Sequence, residues 1–376
     1  LFVMFISFLG LGQAGGNIAD EAAKQGFYSA SINYSQRDLD SLEYVNLKLK
    51  LVGSEGIGKA RNEAIRLMQN NWDLATTFVK ENFSHSSIEI IFVPFSTAGG
   101  SGSGIAPVLL EMLCQEMPDK VFVAMPIIPD STEAYISQKN CLECFEDLSQ
   151  LDICTLPIDN EKFRANSLQF GKNVFYKTIN QKVIEIIQQL EQYTEQSSKY
   201  GVFDKKDLKA LFQTKGLATI AQCNLNDLKH QTEISESDIA NLIKESWHQS
   251  FFADIEYNQI ISAGVIFDGE EEFMSILNHQ KIFSPFNNKM PLHLFEGYYT
   301  SESNIITTVL TGLDWCHSRL KTIEEKTKEA TKAMEHIKTR TVYKSNAVDI
   351  LSKIKNEQPK KEKVKDISSL INKFKR

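Results

Sequence analysis

Across the first half of the chain, short apolar runs alternate with longer stretches whose apolar positions recur every three to four residues. Runs at 3–9, 29–33, 47–52, 88–95, 121–127 and 153–158 have strand length, whereas 18–25, 59–81, 105–116 and 132–148 carry the helical period. This alternation predicts a doubly wound α/β unit whose mostly parallel sheet is covered by helices. From 170 to 193 no Gly or Pro follows Gly171, and Val174, Tyr176, Ile179, Val183, Ile186, Ile187 and Leu190 recur at helical spacing, so a long helix leaves that unit. Further on, strand-like runs at 217–222, 260–267, 291–295 and 305–310 and a helix at 235–251 predict a smaller α+β unit. The expected organisation is a first unit at 1–165, a central helix at 166–197, a second unit at 198–312, a charged helix at 313–342 and a tail at 343–376.

With 376 residues, 42% of them hydrophobic, the chain can bury a sizeable core and is not a disordered polymer. The apolar opening at 1–9 falls short of the roughly 20 residues of a membrane span and lacks the basic flank of a signal peptide, so it reads as a buried strand. Six cysteines, at 114, 141, 144, 154, 223 and 316, lack the spacing of a disulfide framework and point to a reducing compartment such as the cytosol. Cys141 and Cys144 form a CxxC with no second pair at metal spacing, so they read as ordinary thiols, and no metal site is expected. The net charge of −7 is uneven. From Tyr343 onward ten Lys and Arg stand against four Asp and Glu, giving the tail +6 and the rest −13. A basic tail on an acidic body predicts a separate interaction element.

The sharpest local feature is Ser96-Thr97-Ala98-Gly99-Gly100-Ser101-Gly102-Ser103-Gly104, set between a buried strand and an apolar helix. Glycines let backbone N–H groups turn toward an anion, the helix that follows offers its positive end, and the serines add hydroxyls without bulk. A flexible Gly/Ser linker would not sit inside an α/β pattern. A second glycine run, Gly10-Leu11-Gly12-Gln13-Ala14-Gly15-Gly16-Asn17, follows the first strand. Alone it satisfies the dinucleotide GxGxxG, but the acid expected at the end of the second strand is replaced by Ser31-Ile32-Asn33. A Walker loop is excluded because Gly58-Lys59 is followed by Ala60.

Together these loops resemble the tubulin and FtsZ superfamily of GTPases: GLGQAGGN is similar to its first nucleotide loop, and AGGSGSG to the loop usually written GGTGTG, with serine for each threonine. The resemblance extends over about residues 3–340. It implies a tubulin/FtsZ-like fold that binds GTP and GDP, with Mg2+ held mainly by the phosphates. It assigns nucleotide contacts to Gly12, Gln13, Ala14, Gly15, Asn17, Asn33, Gly99, Gly100, Ser101, Gly102, Ser103, Gly104 and Pro126. INYSQRDL at 32–39 and GSEGIGKAR at 53–61 correspond to the second and third loops, the third lying near the γ-phosphate. By the same resemblance Glu133 in PIIPDSTE holds the ribose, Asn160 in PIDNEKF reaches the base, and Asn173 or Asn180 of the central helix meets the guanine edge, with Asn173 favoured.

In this family the segment matching Gly201-Val202-Phe203-Asp204-Lys205-Lys206-Asp207-Leu208 enters the neighbouring subunit's pocket, which makes Asp204 and Asp207 the expected catalytic acids. At i and i+3 on a starting helix their carboxylates share one side. The same spacing also suits an ordinary N-cap. Within the superfamily the resemblance is nearest to the plasmid- and phage-borne partition proteins of the TubZ group, which implies head-to-tail filaments and a tail that engages a DNA-binding adaptor in the bacterial cytosol. In that tail Ile367, Leu370, Ile371 and Phe374 lie at helical spacing among lysines, suiting an apolar contact or, alternatively, direct DNA binding. A cell-division filament of the FtsZ kind and a dinucleotide-dependent oxidoreductase are the competing readings.

Overall fold

The computed structural model describes residues 5–165, 171–229 and 233–337; the tail at 343–376, with Ile367, Leu370, Ile371 and Phe374, lies outside them. In chain order the first half runs β1 (Ile6–Leu11), α1 (Gly12–Lys24), β2 (Tyr28–Asn33), α2 (Gln36–Asp40), β3 (Leu47–Lys50), α3 (Arg61–Met68), α4 (Trp72–Phe83), β4 (Ile90–Ser96), α5 (Ser101–Glu116), β5 (Val121–Ile128), α6 (Tyr135–Leu148), β6 (Cys154–Thr155), β7 (Ile158–Asp159) and α7 (Asn160–Ala165). Then follow α8 (Lys172–Tyr193), α9 (Lys205–Gln213), β8 (Gly216–Asn224), α10 (Glu236–Gln249), β9 (Ser262–Gly269), α11 (Glu271–Met274), α12 (His279–Ile282), β10 (His293–Thr300), β11 (Ile305–Leu313) and α13 (His317–Ile337).

The strands join in one sheet ordered β10-β9-β11-β8-β6-β5-β4-β1-β2-β3, with β7 also on β5. From β3 to β8 every pairing is parallel; β11 alone runs antiparallel, between β8 and β9. The β6–β8 pairing carries the sheet from the first half of the chain into the second. The chain divides into a compact unit, Leu1–Glu329, and a second unit, Ala330–Arg376. Among the described residues no helix is long and apolar enough to cross a membrane.

Consecutive strand residues point to opposite faces, and both faces are covered, so the central strands read as unbroken apolar runs. Phe8 and Phe92 face a core built with Ile18 and Ala22 of α1 and Ile179, Val183 and Ile187 of α8. Their neighbours Leu9, Ile91 and Val93 face the opposite core, closed by Ala64, Val79, Ile105 and Leu109 from α3, α4 and α5.

Two helices differ from the sequence pattern. The stretch expected as one helix at 59–81 is broken, because buried Asn71 turns its side chain onto the backbone: its amide donates to the Val52 and Leu67 carbonyls at 3.0 and 2.8 Å, and its oxygen accepts from Val52 N–H at 2.8 Å. In addition, α5 starts at Ser101, inside the glycine run, four residues before the apolar period begins. Pro107 lies within it, and the Ser103 carbonyl that proline leaves without an N–H accepts a weak bond from Cys144 Sγ at 3.6 Å.

Helix α1 lies so close to the sheet that a Cβ on Gly15 would come within 2.0 Å of the Pro94 carbonyl oxygen of β4, while one on Gly10 would meet the Gly15 carbonyl at 2.4 Å. Because backbone meets backbone there, Gly15→Ala is expected to lower the unfolding free energy by about 1–3 kcal/mol, read as a fall in the urea midpoint at unchanged slope.

Candidate functional site

Strands β1 and β4 are parallel neighbours, with Leu11 opposite Phe95, so the turns that follow them emerge side by side. Gly12 takes φ +70°, a left-handed conformation, and a Cβ there would lie 2.8 Å from the Gly102 nitrogen. Conversely, a Cβ on Gly102 would meet the Leu11 carbonyl at 3.0 Å. Gly100 donates its N–H to the Gly58 carbonyl at 2.9 Å and leaves no room for a side chain against Ile57. Gly99, by contrast, has nothing within 4 Å of where a Cβ would be. Three chain segments are thus locked together behind an open surface onto which the N-termini of α1 and α5 point.

That surface is one lobe of a groove, a cavity of about 260 Å³ lined by Gln13, Ala14, Ser96, Gly99, Gly100, Ser101 and Gly102, with Ser35, Asp38 and Gly56–Gly58 opposite. Its lining contains no Lys or Arg, so anion binding there falls to backbone N–H groups and two helix ends. Gln13, Ala14 and Ser96 are shared with a second lobe of about 420 Å³, where Asn17, Glu133, Asn160 and Asn180 stand among Ile18, Ile127, Ile158, Tyr176 and Ile179. An apolar slot edged by amide side chains suits a flat heterocycle with donors and acceptors on its rim. We call the smaller the phosphate lobe and the larger the base lobe, after the groups that their chemistry suits.

Several expected residues support this groove without lining it. Gly12, Gly15, Ser103 and Gly104 are buried behind it. Ser103 Oγ bonds the Gly99 carbonyl, and a Cβ on Gly104 would strike Ala64 at 2.6 Å. Asn33 is buried; it donates to Asp38 Oδ2 at 3.1 Å and accepts from Ser35 N–H at 3.2 Å, and so sets the two residues that do line the phosphate lobe. Pro126 is buried in β5 opposite Phe95. Asn180 lines the base lobe, while the side chain of Asn173 lies outside the described residues. Ser35 and Asp38 lie in the segment at 32–39 that resembles the second loop, though they were not named individually, whereas Ile158, Tyr176 and Ile179 carry no local signal as site residues and are brought in by the approach of β7 and α8 to the glycine turns. Lys59 reaches across from the third loop to Ser137 and to Glu133, 4.0 Å away. Burial, then the Glu133 carboxylate, pushes the Tyr176 phenol up, so it stays protonated.

Residues 5–167 match the family model described as Tubulin/FtsZ family, GTPase domain. That segment is a GTPase domain of the tubulin/FtsZ family. It is 28% identical over 320 residues to the tubulin-like protein TubZ of Clostridium botulinum C phage, covering 82% of this chain and 79% of that protein. It is 24% identical over 319 residues to the tubulin-like protein CetZ of Pyrococcus abyssi, covering 81% and 84%. The crystal structure of Clostridium botulinum phage c-st TubZ superposes with TM-score 0.70 at 24% identity, over 87% of this chain and 98% of that one. A GTPγS-form protofilament of Bacillus thuringiensis serovar israelensis TubZ gives 0.73 at 15%, over 89% and 93%, and at such identities the agreement concerns the fold. The matched domain supports GTPase activity, and the Bacillus thuringiensis TubZ structure is that of a protofilament.

Asp204 and Asp207 lie far from the groove. Lys209 of α9 pairs at 2.7 Å with Glu89, the residue before β4, and Lys205 sits 5.7 Å over the ring of Phe5, the residue before β1. The groove opens at the other end of those strands, and the seven residues of β4 span about 23 Å at roughly 3.3 Å each. The two aspartates form a capping box on α9: Asp204 Oδ1 accepts from the Lys206 and Asp207 N–H groups at 2.7 and 3.0 Å, and Asp207 Oδ2 accepts from Asp204 N–H at 3.0 Å. Among the described residues, the second oxygen of each carboxylate has no hydrogen bond. Partial burial raises the affinity of Asp207 for its proton, a shift the Asp204 N–H opposes.

The CxxC pair is structural: Cys141 and Cys144 are fully buried in α6, and desolvation raises both thiols, Cys141 to about 12. No cluster of three or more His, Cys, Asp or Glu is arranged to hold a metal among the described residues. At pH 8, where all these thiols remain protonated, the native protein is expected to release aromatic thiolate from Ellman's reagent rapidly at Cys114 at most, and from all six cysteines only after unfolding. Fast native reaction of two or more would contradict the buried placement.

Proposed function

We propose that this GTPase binds GTP across the two lobes, guanine among Asn17, Asn160 and Asn180, ribose at Glu133, triphosphate on the turns at Gly12–Gly15 and Gly99–Gly104, and hydrolyses it only when a second copy docks Asp204 and Asp207 over the γ-phosphate. The observation that carries this reading is the separation just described. Acids held a sheet's length from the phosphate lobe cannot reach it within one chain, yet a head-to-tail neighbour presents them there. Their geometry is compatible with the task, since each keeps one carboxylate oxygen free of the capping box. Exposed apolar side chains at both ends, Val52, Trp72 and Leu74 near the third loop and Tyr200 and Val202 beside Asp204, suit a contact between copies.

In the composite site the water oxygen forms its bond to the γ-phosphorus as the bond to the β,γ-bridging oxygen breaks, and an aspartate carboxylate takes the water's proton. The glycine turns supply N–H donors that compensate the charge moving onto the phosphates. Magnesium would enter with the nucleotide and take most of its ligands from phosphate oxygens and water, with Asp38 the carboxylate nearest to hand in the phosphate lobe. Through its basic tail at 343–376 the filament would engage a DNA-binding adaptor and so move plasmid or phage DNA in the bacterial cytosol. This part of the proposal is supported by the tail's charge and by similarity to a phage TubZ.

Complementation tests the shared site. D204A/D207A is expected to bind GTP but to hydrolyse it about 10²-fold more slowly or worse, and N160A/N180A to fail at binding. Mixed in equal amounts, the two inactive variants should recover phosphate release, because the intact acids of the second meet the intact groove of the first. A mixture no more active than its components would refute completion by a neighbour.

A further inference from the structure

The base lobe is shaped from behind by a residue that the nucleotide itself does not meet. Strand β7 has two residues, and their neighbours alternate: Ile158 and Asn160 line the base lobe, while Asp159 between them points the other way and is 1% exposed. There it meets Arg319 of α13, a side chain 10% exposed. Arg319 Nε donates to Asp159 Oδ2 at 2.7 Å, and Nη2 donates to Asp159 Oδ1 at 3.3 Å and to the Pro129 carbonyl at 2.9 Å. Glu161 lies 2.8 Å from the same Nη2 without hydrogen-bond alignment. Pro129 follows directly on β5 and opens the loop that carries Glu133. One planar guanidinium therefore grips both the segment bearing Asn160 and the segment bearing Glu133. Lysine, a point charge, has no equivalent fork.

We infer that Arg319 is a positioning residue for nucleotide recognition: from α13 it staples the base-side and ribose-side loops together and fixes the spacing at which Asn160 and Glu133 meet the nucleoside. The inference rests on the larger lobe being the guanosine site. β5 and β7 are already paired up to Ile128 beside Asp159, so the staple acts just beyond the sheet, on the Pro129 loop and the start of α7. Asp159 Oδ1 also accepts from Glu161 N–H at 2.9 Å, so the carboxylate that Arg319 orients also holds the first turn of α7 beside Asn160. Burial raises the Asp159 carboxyl and Arg319 opposes that shift, so loss of the guanidinium alone leaves a buried acid without its counter-ion.

Two effects of removing Arg319 must be separated, lost stability and lost positioning. R319M is expected to weaken GDP binding about ten- to a hundredfold by calorimetry on the full chain, and to narrow the preference for GDP over IDP, which lacks the guanine amino group. D159N/R319M, which also removes the stranded charge, is expected to regain thermal stability while keeping the weak and less selective binding. Wild-type GDP affinity in D159N/R319M overturns the inference. N160A run alongside reports on the underlying site: weak GDP binding there with wild-type binding in both Arg319 variants sinks only the staple, whereas wild-type binding in N160A as well sinks the guanosine reading too.

Discussion

Everything about the groove follows from how closely two turns approach. Leu11-Gly12 and Gly102 touch backbone to backbone, at distances where a single methyl group on either side would overlap its neighbour. Only adjacent parallel strands ending at the same level bring two turns so near, and β1 and β4 do so with Leu11 beside Phe95. Since each turn opens a helix, their contact also makes the N-termini of α1 and α5 converge. The phosphate lobe holds no cationic side chain among its lining residues, so this convergence is what makes it a place for negative charge. Gly100, fastened to Gly58, adds the third loop to the same assembly.

Rigid elements then set the distance between the groove and Asp204. Helix α8 places Asn180 in the base lobe and, eleven residues later, Glu191 beneath the start of β1, where its carboxylate accepts from Ile6 N–H at 3.3 Å. At 1.5 Å per residue that is about 17 Å along the helix, somewhat less than the roughly 23 Å of β4 but the same order. Two independent rulers therefore keep the aspartates away from the groove of their own chain. A buried helix and a central strand cannot shorten, so no modest loop motion brings them back.

How much of this was legible beforehand depended on whether the signal was local. The strands of the first half, the long α8 and the two glycine runs are written in contiguous residues, and the structure agrees with them to within a few positions, except that the run at 153–158 is split into β6 and β7. The break at Asn71 was hidden, because its cause is the backbone of Val52 nineteen residues away. The early start of α5 was hidden too, since glycine and serine carry no apolar period even when they are helical. Asn180 lies in the base lobe because of how α8 rotates against α1, a tertiary fact that helical spacing alone leaves open between it and Asn173. Arg319, some 160 residues from its partner Asp159, left no trace in the sequence pattern.

The aspartates show why a structural and a chemical role need not compete. A capping box consumes one oxygen of each carboxylate, and both oxygens so used face backbone N–H groups of their own helix. The engagement holds both side chains in place, the exposed Asp204 and the half-buried Asp207, so their rotamer entropy is already spent in the single chain. It also holds the two remaining oxygens at a constant separation on one side of α9. An N-cap thus holds a pair of acids in a fixed arrangement at the start of α9, with one oxygen of each left without a hydrogen bond among the described residues.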